Sequence, residues 1–104
     1  MRNTLLMILL TSAISTAGAA EISISQADKQ FSMPAVTINS GDTIVFKNKD
    51  NVDHNINVMS PDGDADDKGV QAPGDNLKVT FSKPGAYQVR CRIHPRMKMD
   101  VNVK

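Results

Sequence analysis

The chain has 104 residues, and twelve Lys and Arg residues against eleven Asp and Glu residues give it a formal net charge of +1. This length suits one domain rather than two. A composition that is 40% hydrophobic and 22% charged excludes wholesale disorder. The near-balanced charge argues against bulk electrostatic binding to nucleic acid, and the single cysteine excludes an intramolecular disulfide.

Residues 1–20 are predicted to be a secretory signal peptide that is cleaved. Arg2 precedes an apolar run over residues 5–10, and the small residues 17–20 suit a signal peptidase. A membrane-spanning helix needs about 20 consecutive apolar residues, so this run is too short to span. We therefore expect residues 21–104 to form one exported domain without stable membrane insertion. Exported domains this small usually add disulfides or a metal to their core, and disulfides are excluded here.

The exported part is predicted to be β throughout. Apolar residues alternate with polar ones in seven short segments, which is typical of strands with one buried face. These segments lie at residues 22–24, 36–38, 44–46, 56–58, 77–81, 87–91 and 101–103. The pattern predicts an all-β sandwich or barrel. The stretch from Ser60 to Asn76 lacks periodicity and is predicted to be a long acidic loop.

Both histidines and the only cysteine fall in a pattern that indicates a metal site. His54 opens one alternating segment, Cys91 closes another, and His94 and Met97 follow Cys91 at intervals of three. Two imidazoles, a thiolate and a thioether are the donors of a blue-copper electron-transfer site. Zinc stays open as an alternative, because Cys and His bind it well.

The chain resembles a cupredoxin, a type 1 blue copper protein, of the plastocyanin, amicyanin and pseudoazurin type. Residues 40–50, 53–56 and 83–91 resemble the family's strand before the first ligand, its His-Asn segment and its Pro-Gly-x-Tyr strand that ends in Cys. The Cys-x-x-His-Pro-x-Met loop is most similar to that of amicyanin. The resemblance implies a Greek-key β-sandwich of about seven to eight strands, a periplasmic location and one copper ion that alternates between Cu(I) and Cu(II).

The resemblance makes His54, Cys91 and His94 the equatorial copper ligands and leaves two candidates for the axial one. Met97 fits the amicyanin spacing, and Met99 fits the longer loops. Met99 shares the inward phase of the strand that follows, which favours Met97 as the ligand. The resemblance also implies that Asn55 ties the ligand strand to the cysteine loop, with its backbone N–H donating to the thiolate.

The expected function is transport of single electrons rather than catalysis, because no acid or base is positioned for bond chemistry. The expected partners are redox proteins, a donor dehydrogenase or a cytochrome-type acceptor, and the protein is expected to be a monomer. In the family the second histidine is the exposed electron port. A basic surface that steers an acidic partner is predicted around it, from Arg90, Arg92, Arg96 and Lys98, with the acidic residues 62–67 elsewhere. The rival function is copper trafficking or storage, which the methionines would suit.

Overall fold

The computed structural model describes residues 18–104, so residues 1–17 of the predicted signal peptide lie outside the described residues. Within that range the secondary structure is nine strands and no helix. The strands are β1 (Glu21–Ala27), β2 (Gln30–Phe31), β3 (Ala35–Ile38), β4 (Thr43–Asn48), β5 (His54–Met59), β6 (Ala65–Gln71), β7 (Asn76–Thr80), β8 (Gly85–Arg90) and β9 (Lys98–Val103). In the part of the chain that the structure describes, no helix is long and apolar enough to cross a membrane.

The strands form two mixed sheets that pack as a sandwich. One sheet has the order β2-β1-β4-β7, and the other has the order β3-β9-β8-β5-β6. β1 runs parallel to β4, and β3 runs parallel to β9, while the remaining pairs are antiparallel. This arrangement confirms the predicted all-β sandwich.

The core lies between the sheets and is made by the inward residues of the alternating segments. In β9 the burial alternates strictly, with Met99, Val101 and Val103 inside and their neighbours exposed. Phe46 and Ile24 are fully buried on the facing sheet. All seven predicted segments contribute, because a strand with one face in the core needs an apolar residue at every second position.

Two strands were not predicted. β6 occupies the middle of the stretch expected to be a loop, so that expectation was wrong. Its first six residues are not buried, since it is an edge strand of its sheet, and no alternating apolar pattern marks it. β2 has only two residues and closes a hairpin with β1. With these two strands the described residues have nine strands, whereas about seven to eight were expected.

The topology gathers loops at the two ends of the sandwich. One end, here called the cysteine pole, carries the turns at residues 28–29, 49–53, 72–75 and 91–97. The other end, here called the Asp42 pole, carries the turns at residues 39–42 and 81–84 and the chain end at Lys104. Each pole contains a carboxylate that accepts hydrogen bonds from separate parts of the chain.

Candidate metal centre

Three of the predicted ligands come together at the cysteine pole. His54 is the first residue of β5, Cys91 directly follows β8, and His94 lies in the loop between β8 and β9. One ligand atom from each residue lies within 4.8 Å of the others. His54 and Cys91 are buried, and His94 is half-buried. The pairing of β5 with β8 produces this convergence, because it places the start of one strand beside the end of the other.

The separations of these atoms suit a single ion. The Cys91 sulfur lies 3.9 Å from Nδ1 of His54 and 3.6 Å from Nδ1 of His94. An ion bonded at about 2.3 Å to sulfur and about 2.0–2.1 Å to imidazole nitrogen, the lengths found at zinc, sets these atoms roughly 3.5–3.8 Å apart for tetrahedral to trigonal angles. The cluster can therefore hold one metal ion with little movement of the side chains.

A carboxylate orients the first histidine. Nε2 of His54 lies 2.9 Å from Oδ2 of Asp50. When Nε2 carries the proton and donates it to this carboxylate, Nδ1 is left with a free lone pair directed toward Cys91. The hydrogen bond from the backbone N–H of Lys29, followed by the one from His54, lowers the pKa of Asp50 to about 2. Asp50 is therefore an anion at neutral pH.

Asn48 holds the turn that carries Asp50. Its side-chain amide donates to the carbonyls of Val52 and Gln71, both at 3.0 Å, and its Oδ1 accepts from the backbone N–H of Asp50 at 3.0 Å. Asn48 is almost completely buried at the end of β4. The turn is thus anchored to both sheets, because β4 and Gln71 belong to different ones.

Asn55 joins the two ligand segments, as the resemblance implied. Its backbone N–H donates to the Cys91 sulfur at 3.3 Å, and its Oδ1 accepts from the backbone N–H of Arg92 at 3.1 Å. Its side-chain amide also donates to Asp67 at 2.7 Å and to the carbonyl of Gly69 at 2.9 Å. The prediction for Asn55 is confirmed, and the contacts with β6 are additional. Such hydrogen bonds fix a sulfur ligand in place and tune its basicity.

The loop from Cys91 to Met97 is closed by two backbone hydrogen bonds. The N–H of Cys91 donates to the carbonyl of Met97 at 3.1 Å, and the N–H of Met97 donates to the carbonyl of His94 at 2.9 Å. Met97 is buried but lies outside the cluster of residues that forms the hydrophobic core, whereas Met99 belongs to that cluster. The two methionines therefore occupy different environments, one at the cysteine pole and one between the sheets.

His94 borders an open groove of about 440 Å³ on the surface. Lys29, Gln30, Pro95, Arg96 and Met97 complete its lining. Loss of hydration lowers the pKa of His94, and the charges of His54 and Lys29 lower it further, against an opposing effect of Asp50. A lowered pKa keeps the imidazole neutral, which is the form that binds metals.

The charges near the site differ from the sequence prediction. Arg92 donates to Asp67 at 3.0 Å, so this acidic residue lies at the cysteine pole. The expectation that it lies elsewhere was wrong. The cause is β6, which pairs with β5 and carries Asp67 to the site. Arg96 does line the groove beside His94, and Lys29 joins it there.

Sequence reasoning missed three residues at this site, Lys29, Asp50 and Asp67. Asp50 appeared only as the last residue of the segment 40–50, and its pairing with His54, four residues later, depends on how the turn between β4 and β5 folds. Lys29 sits in a hairpin turn in which both Asp28 and Lys29 have positive φ. A two-residue turn with φ above zero matches the twist of a hairpin, but Gly and Asn are the usual signals for it.

An all-β sandwich with two histidines and one cysteine clustered at one pole is typical of the copper-binding cupredoxin class. The family model for copper binding proteins of the plastocyanin/azurin family matches residues 18–104. The chain belongs to this family.

Relatives support the assignment. The methylamine utilization protein MauL of Methylorubrum extorquens is 29% identical over 94 residues, covering 90% of this chain and 82% of the relative. Amicyanin-alpha of the same organism is 32% identical over 92 residues, covering 85% of this chain and 74% of the relative. The crystal structure of amicyanin from Paracoccus versutus matches with a TM-score of 0.74 at 24% identity over 81% of each chain, which shows a common fold.

Proposed function

We propose that this protein carries single electrons between redox proteins through one copper ion held by His54, Cys91 and His94. The observation that carries the proposal is the convergence of one sulfur and two Nδ1 atoms within 4.8 Å at one pole. Copper in this donor set alternates between Cu(I) and Cu(II), so the ion takes one electron from a donor and passes it to an acceptor.

The hydrogen bonds around the ligands suit this role. Asn55 and Asp50 hold Cys91 and His54 from outside the cluster, and the turn at Asn48 fixes Asp50 in turn. A ligand set that is held in place before the metal binds has little to rearrange when the charge of the ion changes. A small rearrangement of the ligands favours rapid electron transfer and does not promote the making of bonds to a substrate. Both points support a carrier rather than an enzyme.

Met97 is proposed as the weak axial ligand. Its backbone is hydrogen-bonded to Cys91 and His94, and its side chain is buried at the cysteine pole outside the core cluster. Met99 packs in the core opposite Val89 on the neighbouring strand. Met99 points into the core with the other inward residues of β9, whereas Met97 fills no position in the core cluster. Met97 is therefore the methionine that is available as a ligand.

The half-buried His94 is proposed as the electron port, and the groove beside it as the docking surface for an acidic redox protein. Lys29 and Arg96 flank the groove and supply positive charge, while the exposed Pro95 supplies apolar surface. Charge at the rim of such a surface mainly raises the rate of association. Arg92 contributes less because Asp67 pairs with it.

We propose that residues 1–20 contain a cleaved signal peptide, that residues 21–104 form the copper domain together with Ala20, whose contacts are described below, and that the protein works as a periplasmic monomer. A dehydrogenase is the proposed donor and a cytochrome the proposed acceptor. The similarity to a methylamine utilization protein supports a donor of the dehydrogenase type.

The optical and paramagnetic-resonance spectra of the purified, copper-loaded protein test the function. We expect an intense blue Cu(II) form that is reversibly reduced by one electron. The variant Cys91→Ser should lose the intense colour, because the thiolate supplies the charge-transfer band. A colourless wild-type protein, or one that cannot be reduced and reoxidised, would refute the proposal.

The docking surface is tested with the anion hexacyanoferrate(III), which oxidises the reduced protein by one electron and becomes hexacyanoferrate(II). The rate should fall as ionic strength rises, and Arg96→Gln should slow it. Lys83→Gln is the matched control, because it removes the same charge at the Asp42 pole. An equal effect of both variants, or a rate that ignores salt, would exclude a steering role for the groove.

Copper trafficking is the second candidate, and the position of Met59 favours it. Met59 lines an open groove together with Cys91, Arg92 and Pro95, so a soft thioether and one proposed ligand border the same groove. A trafficking protein should release Cu(I) rapidly to a chelator such as bathocuproine, and Met59→Leu should slow that release. If the wild-type protein and the Met59→Leu variant both retain copper, the trafficking function is excluded.

A further inference from the structure

Asp42 is a buried carboxylate that the proposed copper chemistry does not use. It is 5% exposed and lies at the Asp42 pole, at the far end of the sandwich from the cysteine cluster. Its Oδ1 accepts from the backbone N–H of Ala20 at 2.8 Å, and its Oδ2 accepts from the backbone N–H of Asn39 at 2.9 Å. Among residues 18–104 it forms no salt bridge. A buried anion without a cation is costly, so a positive partner would stabilise it.

Ala20 belongs to the folded domain, although the predicted signal peptide includes it. Its carbonyl accepts from the backbone N–H of Thr43 at 2.9 Å, and this bond continues the parallel pairing of β1 with β4, in which Glu21 lies opposite Thr43. Its N–H is the donor to Asp42. Gly18, Ala19 and Ala20 are all exposed and precede β1, but the hydrogen bonds with Asp42 and Thr43 are made by Ala20.

Two cleavage points fit the sequence equally well. A signal peptidase reads small residues at the first and third positions before the cut. Ala17 and Ala19 satisfy this rule for a cut before Ala20, and Gly18 and Ala20 satisfy it for a cut before Glu21. Residue types alone cannot choose between the two products, but the contacts of Ala20 distinguish them.

We propose that the mature protein begins at Ala20 and that Asp42 is the binding site for its new α-ammonium group. Hydrolysis of the Ala19–Ala20 peptide bond consumes one water, leaves a carboxylate on Ala19 and frees an amine on Ala20. An α-amino group of this kind is protonated at neutral pH. The neutral N–H donor of the precursor is thereby replaced by a cation at the same position, 2.8 Å from a buried carboxylate oxygen.

The alternative product would lose these contacts. A cut before Glu21 removes the donor to Asp42 and the acceptor for the N–H of Thr43, since both atoms belong to Ala20. A charge-assisted hydrogen bond is about twice as strong as a neutral one. The peptidase acts before the domain folds, so the fold does not direct the cut. The contacts instead indicate which product the fold accommodates.

The first experiment measures the intact mass of the protein. The full 104-residue precursor is produced in a Gram-negative bacterium, and the processed form is purified from the periplasm. We expect a mass that corresponds to a chain starting at Ala20. A chain that starts at Glu21, or one that keeps residues 1–19, would overturn the proposal.

The second experiment tests the pairing itself with copper-free protein, so that its result is independent of the proposed function. Chains that start at Ala20 or at Ala19 are compared, each with and without Asp42→Asn, by urea unfolding. Starting at Ala19 restores a neutral N–H at residue 20 and moves the charge outward. We expect this extension to lower the folding constant about tenfold when Asp42 is present and much less when it is replaced.

Asp62→Asn removes an exposed carboxylate from the loop between β5 and β6 and should leave the cost of the extension unchanged. If the extension costs the same with and without Asp42→Asn, the ammonium does not bind Asp42. Should Asp42→Asn fail to fold, the extension in the wild-type background decides, because an unchanged folding constant there would overturn the pairing.

Discussion

The two poles of the sandwich use the same chemical device for different purposes. At each pole a carboxylate accepts hydrogen bonds from two separate parts of the chain, Asp50 from Lys29 and His54, and Asp42 from Ala20 and Asn39. At the cysteine pole the result is three donor atoms within 4.8 Å of one another. At the Asp42 pole the carboxylate links the backbone of Ala20 to the backbone of Asn39. The comparison shows that hydrogen bonds can either prepare a site for a ligand or close one end of a fold.

The largest expected effects come from replacing Met97 and Met99, which separate a role at the cysteine pole from a role in the core. Met99→Ala should cost about 2–5 kcal/mol of unfolding free energy, because it leaves a cavity in the core, while the copper spectrum changes little. Met97→Ala should change the colour and raise the reduction potential, because the oxidised ion loses a donor. Chemical unfolding and voltammetry measure the two effects. The reverse order would assign the axial position to Met99.

Gly85 tests how tightly the Asp42 pole is packed. A Cβ at this position would lie 2.5 Å from Cγ of Pro61, and φ is +147°. Gly85→Ala should therefore lower stability by about 1–3 kcal/mol through overpacking and backbone strain, with an unchanged copper spectrum. Gly74→Ala is the matched control, since its φ is +88° but nothing lies within 4 Å of the added atom. An equal loss in both variants would show that contact with Pro61 is unimportant.

The pH dependence of stability tests Asp50. Its pKa of about 2 in the folded protein lies below the ordinary value of 3.8, so ionised Asp50 stabilises the fold above pH 3.8 and this contribution is lost as pH falls toward 2. Asp50→Asn should thus be less stable than the wild type at pH 6, with a difference that disappears near pH 2. Urea unfolding of copper-free protein measures it. Asp53→Asn, an exposed neighbour, should show no such dependence.

The smallest expected effect concerns His94. Desolvation and the charges of His54 and Lys29 lower its pKa, so in copper-free protein the imidazole should take up its proton below the ordinary value of 6.5. Lys29→Gln removes one opposing charge and should raise the pKa, which proton NMR of the imidazole follows. Lys83→Gln, at the Asp42 pole, should leave it unchanged. If the pKa of His94 does not respond to Lys29→Gln, the ammonium group of Lys29 lies too far from the imidazole to affect it.

The residues themselves determined the sandwich and the candidate ligands. Alternation of apolar residues identified seven strands, because a half-buried strand must repeat every two residues. The rarity of Cys and His, together with the spacing of Cys91, His94 and Met97, predicted the candidate metal site. The register of Met99 with the residues that follow it also separated the two methionines in advance.

Only the tertiary structure decided which polar residues support that site. Strand β6 has an exposed edge and shows no alternation, so the positions of Asp67 and of its partner Asn55 followed from strand pairing alone. Asp50 and Lys29 likewise acquire their roles from turns that meet at the cysteine pole. A core strand repeats one simple constraint along its length and is visible in sequence. A hydrogen bond between distant turns depends on the packing of the whole domain, and no local pattern encodes it.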